Sequence, residues 1–461
     1  MRIVISPTFS QIEDCPRELY RTLRAEMSTY RKNYQFFTSF QKGQWDGKVH
    51  FIQRKIFPTG LWKWVRDLCK EHGFVIKWKI NYQVLGDSVD PNTIVLNEVN
   101  LRDYQQDAIR FIAKKRRCII KVGTGGGKTE IIAAVTLLWP QAKCLILVHR
   151  KNLLLQTADR VSMRTGETVG KIGEGQWDTS QRITVALVQT LWSRTDESAK
   201  FLSEINTLML DECHHSSAFT WESIAGKCLA SIRIGFSGTP IEKDDEANLR
   251  LMGMTGMDVY EKTSKSLIDE GYLSVPHIQM IESQAPPLPR QVYPKQYVDG
   301  IVLNEWRNDR IIQEAEEHRD KGQRIMILVH RIKHGLLLNK MLGRRSIFLS
   351  GKDPARDRLK AVRILESDYP LIIIATNIFE EGQDIPSLDT LIIACGGKAP
   401  IGTIQRVGRG LRKTSQKDSV NIIDFIDLHD KKYLLKHSIE REAIYRREQF
   451  DVYYSPIEAM A

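Results

Sequence analysis

Eight residues, Val122-Gly123-Thr124-Gly125-Gly126-Gly127-Lys128-Thr129, restrict the fold of this chain more than any other stretch. The apolar run Cys118-Ile119-Ile120-Lys121 precedes them and the helix-forming run Glu130 to Leu138 follows, so the segment reads as strand, glycine-rich turn and helix. Without Cβ atoms in the way, successive N–H groups can close around phosphate oxygens at a helix N-terminus. Lys128 adds a cation, and the Thr129 hydroxyl can reach a magnesium ion. A glycine turn with no ligand is the alternative; the Gly-Lys-Thr ending in a strand-to-helix setting disfavours it.

A loop of this kind belongs to a parallel α/β sheet, and the rest of the chain agrees. Apolar runs at Cys118 to Lys121, Cys144 to Val148, Thr184 to Val188, Thr207 to Leu210 and Ile232 to Phe236 alternate with helical stretches. Near-continuous apolar strands of this type imply a sheet covered on both faces. From about residue 309 the pattern repeats, at Ile325 to Val329, Ile347 to Leu349, Leu371 to Ala375, Leu391 to Ala394 and Asn421 to Phe425. Two α/β domains are therefore expected, over 96–282 and 283–461, behind a different module at 1–95. The Pro-rich stretch over 283–289 reads as a loop or linker between them.

The 461 residues suffice for roughly two to four domains. Seven scattered cysteines, never spaced Cys-x-x-Cys, argue against a disulfide framework or zinc ribbon and read as small buried residues. No 18-residue apolar run or secretory leader is present, so a cytoplasmic protein without membrane association is expected.

A phosphate loop needs a metal-binding carboxylate at the end of a neighbouring strand, which Leu208-Met209-Leu210-Asp211-Glu212 supplies. Asp211 would hold magnesium through water and Glu212 would polarise the attacking water. Cys213, His214 and His215 beside them suggest zinc, but the chain has no second ligand cluster, so coupling or packing roles are preferred.

The front module reads as small α+β, with strands at Arg2 to Ser6, Gln35 to Phe40, Lys48 to Arg54 and Phe74 to Ile80, and helices at Pro16 to Thr29 and Gly60 to Glu71. It carries 15 Lys and Arg against 9 Asp and Glu, more than half of the chain's net +11, and four of nine tryptophans. A polyanionic partner fits this charge, although excess charge also serves solubility. The turn Gln41 to Lys48 presents Lys42, Trp45 and Lys48. The lysines could meet phosphates and Trp45 a sugar or base; alternatively the turn is a hairpin whose Trp45 covers the core.

Together these residues carry a resemblance. Val122 to Thr129, Asp211-Glu212-Cys213-His214, Ser237-Gly238-Thr239-Pro240 and Gln405-Arg406-Val407-Gly408-Arg409-Gly410-Leu411-Arg412 resemble motifs I, II, III and VI of superfamily 2 helicases. Leu101 to Gln105 resembles the adenine-reading Q motif, with Gln105 on the base and Tyr104 or Arg102 beside it. His149 and Arg150 resemble motif Ia, Gln189-Thr190 the segment before motif II, His330-Arg331 motif IV, and Thr376 with Gly382 and Asp384 motif V. Val122 and Gly123 depart from the usual opening residues of the loop, without removing a phosphate ligand.

The resemblance implies two tandem RecA-like parallel-sheet motor domains preceded by a small α+β DNA-binding domain. It implies ATP and Mg2+ as ligands, with Lys128, Asp211, Glu212, Gln405, Arg409 and Arg412 catalytic. Gly123, Thr124, Gly125, Gly126, Gly127, Lys128 and Thr129 would hold the nucleotide, joined by Arg102, Gln105, Gly382 and Asp384; His214, Ser237 and Thr239 would couple nucleotide state to DNA grip. His149, Arg150, Thr190, His330, Arg331 and Thr376 would touch DNA. ATP would lie between the two motor domains, with Arg409 and Arg412 as fingers.

Gly43 to Phe51 with Phe57 to Leu61 resembles the N-terminal module of bacteriophage UvsW-type helicases, which remodel Holliday junctions, stalled forks and R-loops. That makes branched or forked duplex DNA the expected partner, with monomeric action on it. Lys42, Trp45, Lys48, Arg54 and Lys55 are then the front module's candidate contacts. A basic tail from Lys431 to Arg447 is either a further DNA contact or a solvated helix packed on the last domain. An RNA helicase, a nuclease-coupled translocase and an ATP-switched clamp are the competing readings.

Overall fold

The computed structural model describes residues 1–213, 219–238, 245–283, 287–289, 292–351, 353, 372–376, 388–397, 418–430 and 432–455. Two compact units emerge, one from residues 1–122 with 127–262 and one from residues 123–126 with 263–461.

An eight-stranded sheet organises the first unit. Its spatial order is Gln176–Trp177, Val169–Gly173, Ile183–Leu187, Cys144–Val148, Thr207–Leu210, Ile232–Ser237, Arg117–Val122 and Asp258–Lys262. All neighbours are parallel except the first pair. Central strands such as Cys144–Val148 are buried throughout, the reason for their unbroken apolar sequence. Val169–Gly173 and Asp258–Lys262 were not foreseen: one contains two glycines, and the other is a polar edge strand.

The front module belongs to the same unit. Its sheet runs Ile56–Pro58, Phe9–Glu13, Arg2–Ile5, Lys77–Ile80, and the helices Arg17–Glu26 and Trp62–Glu71 accompany it. Ile3, Ile12, Leu19, Leu23, Phe57 and Val65 make its core. The expected strand over Gln35 to Phe40 is instead a 3-10 turn, Tyr34–Phe36, and a short helix, Thr38–Gln41. Aromatic residues raise strand propensity, but these rings pack on one another across a turn, Tyr34 on Phe40 at 4.8 Å between centroids. The expected helix also stops at Glu26, because Ser28–Tyr30 pairs antiparallel with Lys48–His50. Residues 41–48 therefore end a long connection within a ribbon and are not a tight hairpin turn.

Module and motor sheet meet in close backbone contact at Gly60. A Cβ on Gly60 would stand 1.9 Å from the Met252 carbonyl oxygen, so only glycine admits this approach. Arg233 is buried and donates to the carbonyls of Ala225, Ala230 and Cys228 and to the Thr8 hydroxyl. Arg117 donates to the Pro7 carbonyl, and burial, with Arg233 nearby, depresses its pKa to about 9.

In the second unit, a seven-stranded sheet runs Ser346–Leu349, Ile372–Ala375, Ile325–Leu328, Thr390–Ile393, Ser419–Asp427, Val275–Ser283, Asp451–Ser455, parallel at every pairing. Val275–Ser283 pairs here, so the chain enters this sheet before residue 283 and not at it. A proline and alternating polar residues disguise the strand. The helix Leu434–Arg447 packs on Ser419–Asp427. Its Arg441 makes a two-pronged buried bridge to Asp424, at 2.8 and 2.9 Å, and Tyr445 donates to the same carboxylate. Packing thus accounts for this helix's buried face. No helix among the described residues is long and apolar enough to cross a membrane.

His334 gives this unit an acid sensitivity. Its Nε2–H donates to Asn308 Oδ1 at 2.8 Å, because the Asn308 amide is committed to the Val302 carbonyl. Burial, reinforced by the Arg307 charge, pulls its pKa down to about 3. The unfolded chain takes up this proton below about 6.5 while the folded chain refuses it, so stability present at neutral pH is lost as pH falls. Between pH 6.5 and 5 the loss from this group should be about 2 kcal/mol. Denaturant midpoints at pH 7 and 5 should fall less for His334→Gln than for the native chain.

Candidate nucleotide site and nucleic-acid interface

The strand Arg117–Val122 delivers the chain to the glycine loop, and Lys128–Leu138 leaves it as a helix buried on nearly every side. Val122, the unusual opening residue of the loop, is the fully buried last residue of the strand and serves the core. Gly125 and Gly127 have φ of +85° and +72°, a region open to glycine. A Cβ on Gly127 would also stand 2.5 Å from Gln105 Nε2.

Gln105 connects the Q-motif segment to the loop. Its Oε1 accepts from the Arg102 backbone N–H at 2.9 Å, and its Nε2 donates to the Gly127 carbonyl at 3.4 Å. Arg102 donates to the Tyr104 hydroxyl, and the Tyr104 ring is buried, with the Lys262 ammonium 5.9 Å from its centre.

Across the sheet from Lys128, the strand Thr207–Leu210 ends at Asp211 and Glu212. Lys128 Nζ lies 3.6 Å from Glu212 Oε1. Glu212 adopts φ +50°, a left-handed turn, and its N–H donates to Asp211 Oδ1 at 3.0 Å. Burial first, then the Glu212 charge, pushes the Asp211 carboxyl up to about 6, against the pull of Lys128. A buried carboxylate, an ammonium, a hydroxyl at Thr129 and helix N-terminal amides fit a phosphate with a hard cation.

Other candidates gather along the same edge, because parallel strands present their C-terminal ends together. His149 and Arg150 follow Cys144–Val148, Gln189 and Thr190 follow Ile183–Leu187, and buried Ser237 ends Ile232–Ser237. Gln189 Nε2 donates to the His149 carbonyl at 3.2 Å, joining two of these positions. In the second unit, His330 and Arg331 are exposed after Ile325–Leu328, and the Arg331 guanidinium lies 5.9 Å from the Tyr297 ring centre. Thr376, after Ile372–Ala375, is buried and offers little surface. His214, Thr239, Gly382, Asp384, Gln405, Arg409 and Arg412 lie outside the described residues.

The front-module candidates separate into two groups. Trp45, Lys48 and Arg54 line one groove of about 510 Å³, together with Tyr20, Arg24 and Arg31. Trp45 is half-buried, and its indole N–H is taken by the Lys48 carbonyl at 2.9 Å. Lys55 is not in this groove; its ammonium donates to the Cys15 carbonyl at 3.2 Å. Arg54 and Lys55 form a two-residue hairpin loop at φ +48° and +65°, positions that ordinarily favour Asn-Gly. Lys42 is exposed on the neighbouring loop. Arg24 and Arg31 were missed by sequence reasoning. The spacing Arg17, Arg21, Arg24 does mark a cationic helix face.

Comparison with known proteins agrees with this layout. The family description "Type III restriction enzyme, res subunit" matches residues 98–242, and "Helicase conserved C-terminal domain" matches 306–414. "DNA helicase UvsW, N-terminal" matches residues 6–79. The chain is a superfamily 2 DNA helicase resembling the UvsW type. This UvsW-like helicase is 25% identical to the ATP-dependent DNA helicase uvsW of Enterobacteria phage T4, over 96% of this chain and 97% of the relative. It is also 25% identical to the DNA 3'-5' translocase XPB2 of Sulfurisphaera tokodaii, over 71% of this chain and 82% of that one. Among solved structures, the fragment of a putative HsdR subunit of a type I restriction enzyme from Vibrio vulnificus YJ016 aligns with a TM-score of 0.58. It shares 20% identity over 78% of this chain and 68% of that one, a likeness of fold.

Proposed function

We propose that this ATP-dependent DNA helicase remodels branched DNA, migrating four-way junctions, regressing forks and unwinding R-loops. The observation that carries the reading is the front-module groove. Arg24, Arg31, Lys48 and Arg54 line it, and none of the four forms an ion pair among the described residues. Four uncompensated cations beside Tyr20 and Trp45 suit a nucleic-acid backbone. The same compact unit holds Lys128, Asp211 and Glu212, so a duplex held in the groove keeps a set position relative to the Lys128 and Glu212 side chains.

In this reading residues 1–95 bind duplex, residues 96–262 bind and hydrolyse ATP, and the remainder completes the motor. Lys128 holds the terminal phosphates and Glu212 takes a proton from the attacking water. Thr129 and, through water, Asp211 would hold Mg2+, which neutralises phosphate charge when bound.

The test is ATP-driven remodelling of matched forks, four-way junctions, R-loops and linear duplex by the full chain. Junction migration exceeding linear-duplex unwinding is expected; equal activity on all four removes the branched-DNA reading. Lys48→Ala and Arg54→Ala should each weaken junction binding and flatten the dependence of log affinity on log salt by about one. An unchanged slope would place that residue outside the backbone contact.

A further inference from the structure

We infer that Phe36 is a stacking wedge which enters the base stack at a DNA branch point. This rests on the branched-DNA reading and assigns it a residue. Phe36 is 79% exposed at the tip of the connection between Ser28–Tyr30 and Lys48–His50, and Phe37 beside it is 37% exposed. A ring so exposed has an apolar face that the protein leaves uncovered.

The ring stands on a rigid base. Tyr30 stacks on Tyr34 at 4.7 Å, Tyr34 meets Phe40 edge-on at 4.8 Å, and Phe37 meets Trp45 edge-on at 5.7 Å. Arg31 N–H donates to the Gly47 carbonyl at 2.9 Å, closing the loop at its neck. A Cβ on Gly47 would fall 2.5 Å from the Tyr34 ring, so glycine there lets the ring lie flat against the backbone. Asn33, at φ +60°, turns the chain into the 3-10 segment that presents Phe36. Every ring of this set except Phe36 has an aromatic or cationic neighbour among those described, since Arg31 also covers Phe37 at 5.0 Å.

Charge around the loop names the occupant. Arg31, Lys32, Lys42 and Lys48 are cations of residues 31–48, against the single carboxylate of Asp46, which is hydrogen-bonded to His50 at 2.8 Å. A surface of lysine and arginine repels most protein partners of similar charge and attracts phosphate. An uncovered phenyl ring amid phosphate-seeking cations matches the apolar wedges that partly unstack a base step. A branch point, where stacking is already interrupted, costs least to enter. The backbone groove lined by Arg31, Lys48 and Arg54 adjoins this loop, so one duplex arm can lie in the groove while Phe36 meets the bases at its end.

The experiment uses the full chain and a four-way junction with 2-aminopurine at the branch point and a fluorescein on one arm. At saturation, judged by fluorescein anisotropy and without ATP, the native chain should brighten 2-aminopurine severalfold. Phe36→Trp should keep that rise and Phe36→Ala should lose most of it, with junction affinity about 5- to 100-fold weaker. Phe36 lies outside the core, so matching circular dichroism melts check the fold. A wild-type rise from saturated Phe36→Ala overturns the wedge and leaves the branched-DNA reading standing. If the native chain binds no junction at all, both fall.

Discussion

Lys128→Ala should lower ATP turnover by about 10²–10³-fold, the order of loss when one donor that stabilises transition-state charge is removed. Lys128 opens the helix Lys128–Leu138, and its ammonium faces the Glu212 carboxylate at 3.6 Å. It therefore adds its charge where the helix N-terminus already favours an anion. It also offsets the burial and the Glu212 charge that raise the Asp211 pKa to about 6. Without it that carboxyl moves further up and is a poorer metal ligand at neutral pH. Steady-state hydrolysis with and without junction DNA measures the effect, and circular dichroism checks folding. Turnover above about a tenth of native would remove Lys128 from the phosphate role. Junction remodelling that survives the substitution would show ATP acting as a switch and not as fuel.

Glu212→Gln is the second large effect, with hydrolysis reduced about 10²–10⁴-fold while nucleotide still binds. The two side chains have the same shape, so the turn at φ +50° and the N–H bond to Asp211 are undisturbed. What disappears is the charge that can accept a proton from water. Losing that charge also relieves Asp211, whose pKa the Glu212 carboxylate helps to raise, and metal binding should not weaken. Single-turnover hydrolysis and equilibrium nucleotide binding on one preparation separate the two steps. Native-rate hydrolysis by the glutamine variant would move the base to another residue.

Both sheets were legible in outline because their central strands are buried on both faces and their sequence is continuously apolar. Cys144–Val148 and Ile325–Leu328 show this plainly. Strands at the margins escaped. Val275–Ser283 contains a proline and alternating polar residues, and Asp258–Lys262 lies at a sheet edge, where one strand face or flank is wet. The loop from Arg31 to Gly47 was misread for a different reason. Its aromatic residues carry a strand signal locally, but ring-on-ring contacts among Tyr30, Tyr34, Phe37, Phe40 and Trp45 outweigh it.

The glycine loop, the acidic pair and the central strands of both sheets were determined by the sequence alone, since each is a local pattern of backbone freedom, charge or apolar period. Tertiary structure decided which distant residues meet. Strand order brings Lys128 beside Glu212, and parallel pairing aligns His149, Thr190 and Ser237 along one edge. Packing ties the Trp45 indole to the Lys48 carbonyl and leaves Phe36 in solvent. Such outcomes depend on contacts between residues far apart in the chain, and on ring packing that no single residue type specifies.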